Sequence, residues 1–130
     1  MSYKVVKDRK YLKDHDWAKE EDGLVLIGIT DFAQQTLKDI VYVELPEVGE
    51  NVEVGEVFGS IESVKAVSDL ISPVTGKITE INAEIVDTPE LVNEDPYASW
   101  LVKVKPTDLE NEFKLLLSPE DYDEICKKEG

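Results

Sequence analysis

The apolar positions along this chain fall in short, β-branched runs, and turn-forming residues separate them every ten or so positions. "LVLIGIT", Leu24 to Thr30, follows the turn-forming "EEDG" and is aliphatic almost throughout, which predicts a strand. "DFAQQTLKD" then changes period. Phe32, Ala33, Thr36 and Leu37 fit one face of a short helix, with Asp31 as its cap. "IVYVELP", Ile40 to Pro46, returns to strand, with apolar residues at Val41, Val43 and Leu45 and a proline to end it. "PEVGENVEVGEVFGSIES" sets Gly49, Gly55 and Gly59 among valines, which predicts tight turns between short strands. "SPVTGKITEIN" offers a further turn at Pro73 to Gly76 and a strand through Ile78 and Ile81.

The prolines at 89 and 96 mark "AEIVDTPELVNEDPYASW" as a loop, and "LVKVKP" is the last strand. Thr107 or Asp108 caps a helix through "LENEFKLLL", and Ser118 with Pro119 opens a terminal helix through "YDEICKKEG". Many short strands with regular turns predict a mainly β sandwich or barrel-like core, with one short internal helix and two C-terminal helices around it. No linker or low-complexity segment divides the chain, so one domain over 1–130 is expected.

One stretch breaks the pattern. Alternation runs through Val57, Gly59 and Ile61 and is lost in "ESVKAVSD", midway between two turn-marked segments. Lys65 is therefore expected at the tip of a hairpin. Local turn chemistry argues against this, because a two-residue turn favours Asn-Gly or similar rather than Val-Lys.

Composition narrows the function. The 130 residues are 42% apolar, enough for a real core. Acidic residues outnumber basic ones 29 to 14, for a formal net charge of −15. Nucleic acid and anionic membranes are poor partners for such a chain, and cationic protein surfaces are better ones. Cys126 is the only cysteine, so no internal disulfide or CxxC pair exists, and it reads as a small apolar residue of the terminal helix. "MSYKVVKDRK" lacks the apolar core of a signal peptide, and no apolar run approaches membrane-spanning length, so the cytoplasm is expected.

Catalytic equipment is not visible. The single histidine, His15 in "KDHDW", precludes a His-rich metal site, and no GxSxG accompanies it. "GEVFGS" does not end as a P-loop must, and "LVLIGITD" has one glycine where a dinucleotide fingerprint needs several. No catalytic or metal-binding residue is assigned, and an enzyme is not expected. Binding, structure or carriage of a group remain. Carriage suits Lys65, because an exposed lysine amine is an acyl acceptor on a flexible four-carbon tether.

The residues around it carry a resemblance. Glu62, Ser63, Lys65 and Ala66 match the "E-[ST]-x-K-A" of lipoyl domains, and the longer "ESVKAVSD" resembles the lipoyl-lysine segment of the glycine cleavage system H proteins. "HDWAKEEDG" is similar to that family's His-Glu-Trp opening, with Asp16 in place of the glutamate. "GITDFAQQTLKDIVYVELPEVG", "SPVTGKITEIN", "PELVNEDPY" and "LLSPEDY" follow in the family's order, so the resemblance spans Tyr3 to Cys126.

The resemblance implies a flattened β-sandwich, a barrel-sandwich hybrid of the lipoyl/biotinyl carrier type with short peripheral and C-terminal helices. It implies lipoate joined to Lys65 through an amide, taking the net charge from −15 to −16. It also implies a non-catalytic carrier of the aminomethyl group of glycine. The group passes from a PLP-dependent decarboxylase (P protein) to a tetrahydrofolate-dependent aminomethyltransferase (T protein). Dihydrolipoamide dehydrogenase (L protein) reoxidises the carrier, and a separate enzyme attaches the lipoate. Glu62, Ser63 and Asp69 are expected to help recognition near Lys65, and Asp16 lies where the family places an acid that holds the loaded arm. Thr36 stands where some members carry a histidine, Lys38 where glycine is usual, and Ser99 where a glycine commonly precedes the tryptophan. The last two departures are expected to alter backbone angles.

Biotin carriers share this fold, but methionines frame their lysine and the only methionine here is Met1. Two alternatives stay open: a relay that passes lipoyl or octanoyl groups to other lipoyl proteins, and a non-lipoylated interaction module.

Overall fold

The computed structural model describes residues 2–129. Met1 and Gly130, the ends of the expected 1–130 domain, and Gly130 as the end of the expected terminal helix, lie outside the described residues. The chain begins with β1 (Lys10–Tyr11), β2 (Asp16–Glu21), β3 (Leu24–Ile29), α1 (Asp31–Leu37), β4 (Ile40–Glu44), β5 (Asn51–Val52) and β6 (Val57–Ser63). It continues with β7 (Val67–Ile71), β8 (Gly76–Ile81), α2 (Ala83–Asp87), α3 (Leu91–Glu94), β9 (Val102–Pro106), α4 (Leu109–Lys114) and α5 (Pro119–Glu129). Six strands form one sheet in the order β1-β2-β3-β9-β8-β5, and three form another in the order β4-β6-β7. The fold is mainly β with short helices, as the strand spacing predicts.

The uninterrupted apolar run of β3 has a physical reason: the strand is buried on both faces. Val25 and Ile27 join Ala18, Val52, Ile78 and Val104 in one core, while Leu26 packs on the other side with Tyr11, Trp17, Tyr122 and Cys126. Gly28 is required there because a Cβ would strike the Trp17 ring. The "DG" turn between β2 and β3 places Asp22 and Gly23 at φ 54° and 80°, the left-handed pair that matches strand twist.

Several expectations need correction. Strands β1 and β2 escape the apolar pattern because "DWAKEE" is mostly charged. The cap of α1 is Thr30, whose hydroxyl accepts from Ala33 N at 3.2 Å; Asp31 instead accepts from the Lys4 amide at 2.8 Å. In β4 a bulge between Ile40 and Tyr42 resets the alternation, so Ile40 and Val43 are buried while Val41 and Tyr42 face out. Gly49 and Gly55 do sit in turns at positive φ, but Gly59 lies inside β6, where a Cβ would collide with the Glu44 carbonyl. The expected loop after Ile81 contains α2 and α3, because Ile85 and Val92 bury against Ile40, Val43 and Ile61. Helix α4 ends at Lys114 rather than Leu117, since Leu117 exchanges backbone hydrogen bonds of 3.0 and 2.8 Å with Tyr11.

The two glycine departures resolve differently. Lys38 closes α1 at φ 67°, ψ −141°, so the lysine has taken a glycine-like angle rather than altered it. Ser99 is not at positive φ; its hydroxyl donates to the Leu91 carbonyl at 3.1 Å.

Candidate functional site

Lys65 lies in the tip between β6 and β7, which pair antiparallel from Val57↔Ile71 to Glu62↔Val67. The tip is closed by one backbone hydrogen bond and by the Ser63 side chain. Neither Val64 nor Lys65 has positive φ, so the primed turns usual for two-residue hairpins are not formed. The Ser63 hydroxyl oxygen instead accepts from the amides of Lys65 at 3.2 Å and Ala66 at 3.1 Å, and the Ser63 amide donates to the Ala66 carbonyl at 2.8 Å. The Val64 amide donates to the Asp39 carbonyl at 3.0 Å, tying the tip to the chain just before β4. Lys65 is exposed, and its amine joins no ion pair among the described residues.

The sheet register fixes what surrounds the lysine. Tyr42 lies opposite Glu62, and Glu62 opposite Val67, so the three form one row across the outer face. Glu44, Ser60 and Asp69 form the next row on the same face. Glu62 and Asp69 are exposed on this face near the tip. Ser63 is buried at 4% exposure, with its hydroxyl committed to the turn. Sequence reasoning gave no role to Tyr42, Val64 or Val67, which stand 51, 68 and 64% exposed around the tip. Val67 lies in β7, where an apolar residue reads as core, and the register shows it facing out in the row of Tyr42 and Glu62.

Asp16 lies away from the tip, where β2 meets the far end of β7. Its Oδ2 accepts from the Ile71 amide at 3.3 Å, and Oδ1 is buried without a partner among the described residues. Burial pushes its carboxyl well above the usual 3.8, outweighing the lowering by the Ile71 N–H. Thr36 is exposed on α1, and its hydroxyl donates to the Phe32 carbonyl at 3.0 Å.

The remaining chemical candidates have structural employment. His15 Nδ1 and the Thr30 hydroxyl each lie 2.6 Å from the Tyr122 hydroxyl, and the His15 ring stacks on Phe32 at 4.8 Å. Cys126 is fully buried, and burial raises its thiol above the usual value. Among the described residues, no group of three or more His, Cys, Asp or Glu side chains could hold a metal ion. No helix among them is long and apolar enough to cross a membrane.

Comparison with known proteins places this geometry in a family. Residues 9–129 match the family model "Glycine cleavage H-protein". The chain is 54% identical over 126 residues to a probable glycine cleavage system H protein of Pyrococcus abyssi, covering 96% of this chain and 94% of the relative. It is 51% identical over 127 residues to the glycine cleavage system H protein of Carboxydothermus hydrogenoformans, covering 97% of each. The crystal structure of a glycine cleavage system H protein from Mycobacterium marinum superposes with a TM-score of 0.85 at 43% identity, over 92% of this chain and 97% of that one. With a hairpin-borne lysine on a two-sheet β fold and near full-length agreement with these relatives, the chain belongs to the glycine cleavage H-protein family.

Proposed function

We propose that this chain is the lipoyl-bearing carrier of a glycine cleavage system, with Lys65 as the attachment point. One observation carries the reading: Lys65 stands exposed at a hairpin tip whose backbone is fixed on both sides. An amine so placed fits an acyl group. Among the described residues it neutralises no carboxylate, so converting it to an amide strands no partner charge. Bound as an amide at Lys65 Nζ, lipoate supplies a dithiolane able to accept the aminomethyl group of glycine and to be restored by oxidation.

The chain's own part is positional. Asp39 and Ser63 hold the tip through the Val64, Lys65 and Ala66 amides. Glu62 and Asp69, exposed on the outer face, are the side chains for a lipoate-attaching enzyme to read. For Asp16, at the opposite end of β7, to meet the far end of a loaded arm, its carboxyl must leave the buried position in which it holds the Ile71 amide. In this role the chain serves the PLP-dependent glycine decarboxylase, the tetrahydrofolate-dependent aminomethyltransferase and dihydrolipoamide dehydrogenase in turn. It breaks no bond itself, acts as one domain over 1–130, and works in the cytoplasm.

The test is intact mass with peptide mapping after incubation with lipoate, ATP and lipoate ligase, beside a Lys65→Arg control. A single lipoyl addition on Lys65, absent from the control, is expected. No addition while a known lipoyl domain is loaded in the same mixture sinks the carrier reading.

A further inference from the structure

The turn that presents Lys65 poses a conformational problem. The commonest two-residue hairpin turns depend on residues that accept positive φ, above all glycine and asparagine. A loading site cannot use glycine at the position that must supply the amine. Val64 is β-branched and equally unsuited to a left-handed angle. The backbone accordingly takes neither residue to positive φ. Without help, the amides of Lys65 and Ala66 would have only water as a partner at the end of the hairpin.

Ser63 supplies a protein partner for both. One hydroxyl oxygen receives both amides, at 3.2 and 3.1 Å, and the same hydroxyl donates back to the Ala66 carbonyl at 3.3 Å. This is a serine side chain doing what a turn carbonyl does. The residue is 4% exposed, so an enzyme approaching Lys65 does not reach its hydroxyl while the turn is closed.

We propose that Ser63 is a positioning residue for loading of Lys65: beside the 2.8 Å backbone bond from the Ser63 amide to the Ala66 carbonyl, its buried hydroxyl takes the Lys65 and Ala66 amides, and so presents the amine in one orientation. This rests on the reading of Lys65 as the loaded residue. The role differs from recognition by contact, which falls to the exposed Glu62 and Asp69. Without the hydroxyl, the tip samples many conformers and binds the loading enzyme only through the competent fraction.

The experiment compares wild type, Ser63→Ala and Ser63→Thr in two readouts. The first is steady-state loading by lipoate ligase with lipoate and ATP, resolved into kcat and KM for the protein substrate. The second is amide hydrogen exchange at Lys65 and Ala66, with Ile61 and Leu70 as internal references. In Ser63→Ala, KM should rise about tenfold, the effect of losing one or two net hydrogen bonds, with kcat within about twofold. Exchange at Lys65 and Ala66 should accelerate about tenfold or more while Ile61 and Leu70 stay protected. Ser63→Thr, which keeps the hydroxyl, should restore both.

Loading of Ser63→Ala at the wild-type KM overturns the proposal. So does loss of loading in the alanine and threonine variants alike with slow exchange retained, which would mean direct contact with the enzyme. If Ser63→Ala does not fold, wild-type exchange decides: Lys65 and Ala66 amides as fast as in an unstructured peptide overturn the turn closure. A wild-type chain that is never loaded sinks the carrier reading instead, and the exchange comparison still judges the turn.

Discussion

At the scale of single residues, Asp16 shows fold and proposed role pulling in opposite directions. Its carboxyl is 2% exposed, holds the Ile71 amide with one oxygen, and has the other unpartnered among the described residues. Burial raises its folded pKa well above the usual 3.8, so the folded chain holds this proton more tightly than the unfolded one. Its stabilising contribution is fully present below pH 3.8 and is lost as pH rises through the folded value. Asp16→Asn escapes that loss. The variant should be more stable than wild type at pH 7, because its amide never ionises in the buried site, and the gain should shrink toward pH 4, where the wild-type carboxyl is protonated. Urea unfolding at the two pH values reads both numbers. An equal gain at both, or a loss at pH 7, removes the burial explanation. The same substitution deletes the carboxyl assigned to the far end of the arm, a trade of function for stability.

At the scale of elements, the ends of helices and strands carry the features peculiar to this chain. Helix α1 stops at Lys38, held at φ 67°, ψ −141°, an angle that costs a residue with a side chain on the order of 1–3 kcal/mol. The position is fixed from outside: the Lys38 carbonyl accepts from Asn93 Nδ2 at 2.8 Å, and the same Asn93 accepts the Ile40 amide at 3.0 Å. Lys38→Gly should therefore stabilise by about 1 kcal/mol after the extra unfolded-state entropy of glycine is discounted. That corresponds to a rise in Tm of a few degrees. A lower Tm in a thermal melt would show that the lysine side chain, not its backbone angle, dominates there. Turn elements were half legible. "EEDG" announced its turn but not the β2 strand before it; Asp-Gly accepts two left-handed angles, and Asp22 and Gly23 adopt them. "SVKA" announced its hairpin through the loss of alternation but concealed how the turn is held, because the Lys65 and Ala66 amides go to the Ser63 side chain, which no turn dipeptide encodes.

At the scale of the whole molecule, charge and topology dominate. Between Lys38 and Lys65 the chain has seven acidic residues and no basic one. None of the seven joins an ion pair among the described residues. With a net charge of −15, encounter with a cationic enzyme surface should be steered electrostatically. Raising salt from 0.05 to 0.5 M should lower kcat/KM for Lys65 loading about tenfold with kcat nearly flat, because the Debye length shortens below the approach distance. A salt-independent kcat/KM would mean that short-range contacts alone select the partner. The sequence by itself determined the mainly β class, the strands with clean apolar runs, the terminal helix and the lysine at a bend, since each follows from local periodicity or turn chemistry. Only the tertiary structure decided the rest. The β4 bulge turns Val41 outward with Tyr42, burial of Ile85 and Val92 makes helices of a proline-marked segment, and β7 brings the Ile71 amide to Asp16. Each of these depends on residues far apart in the chain, where packing and unpaired polar groups, rather than local preference, set the lowest free energy.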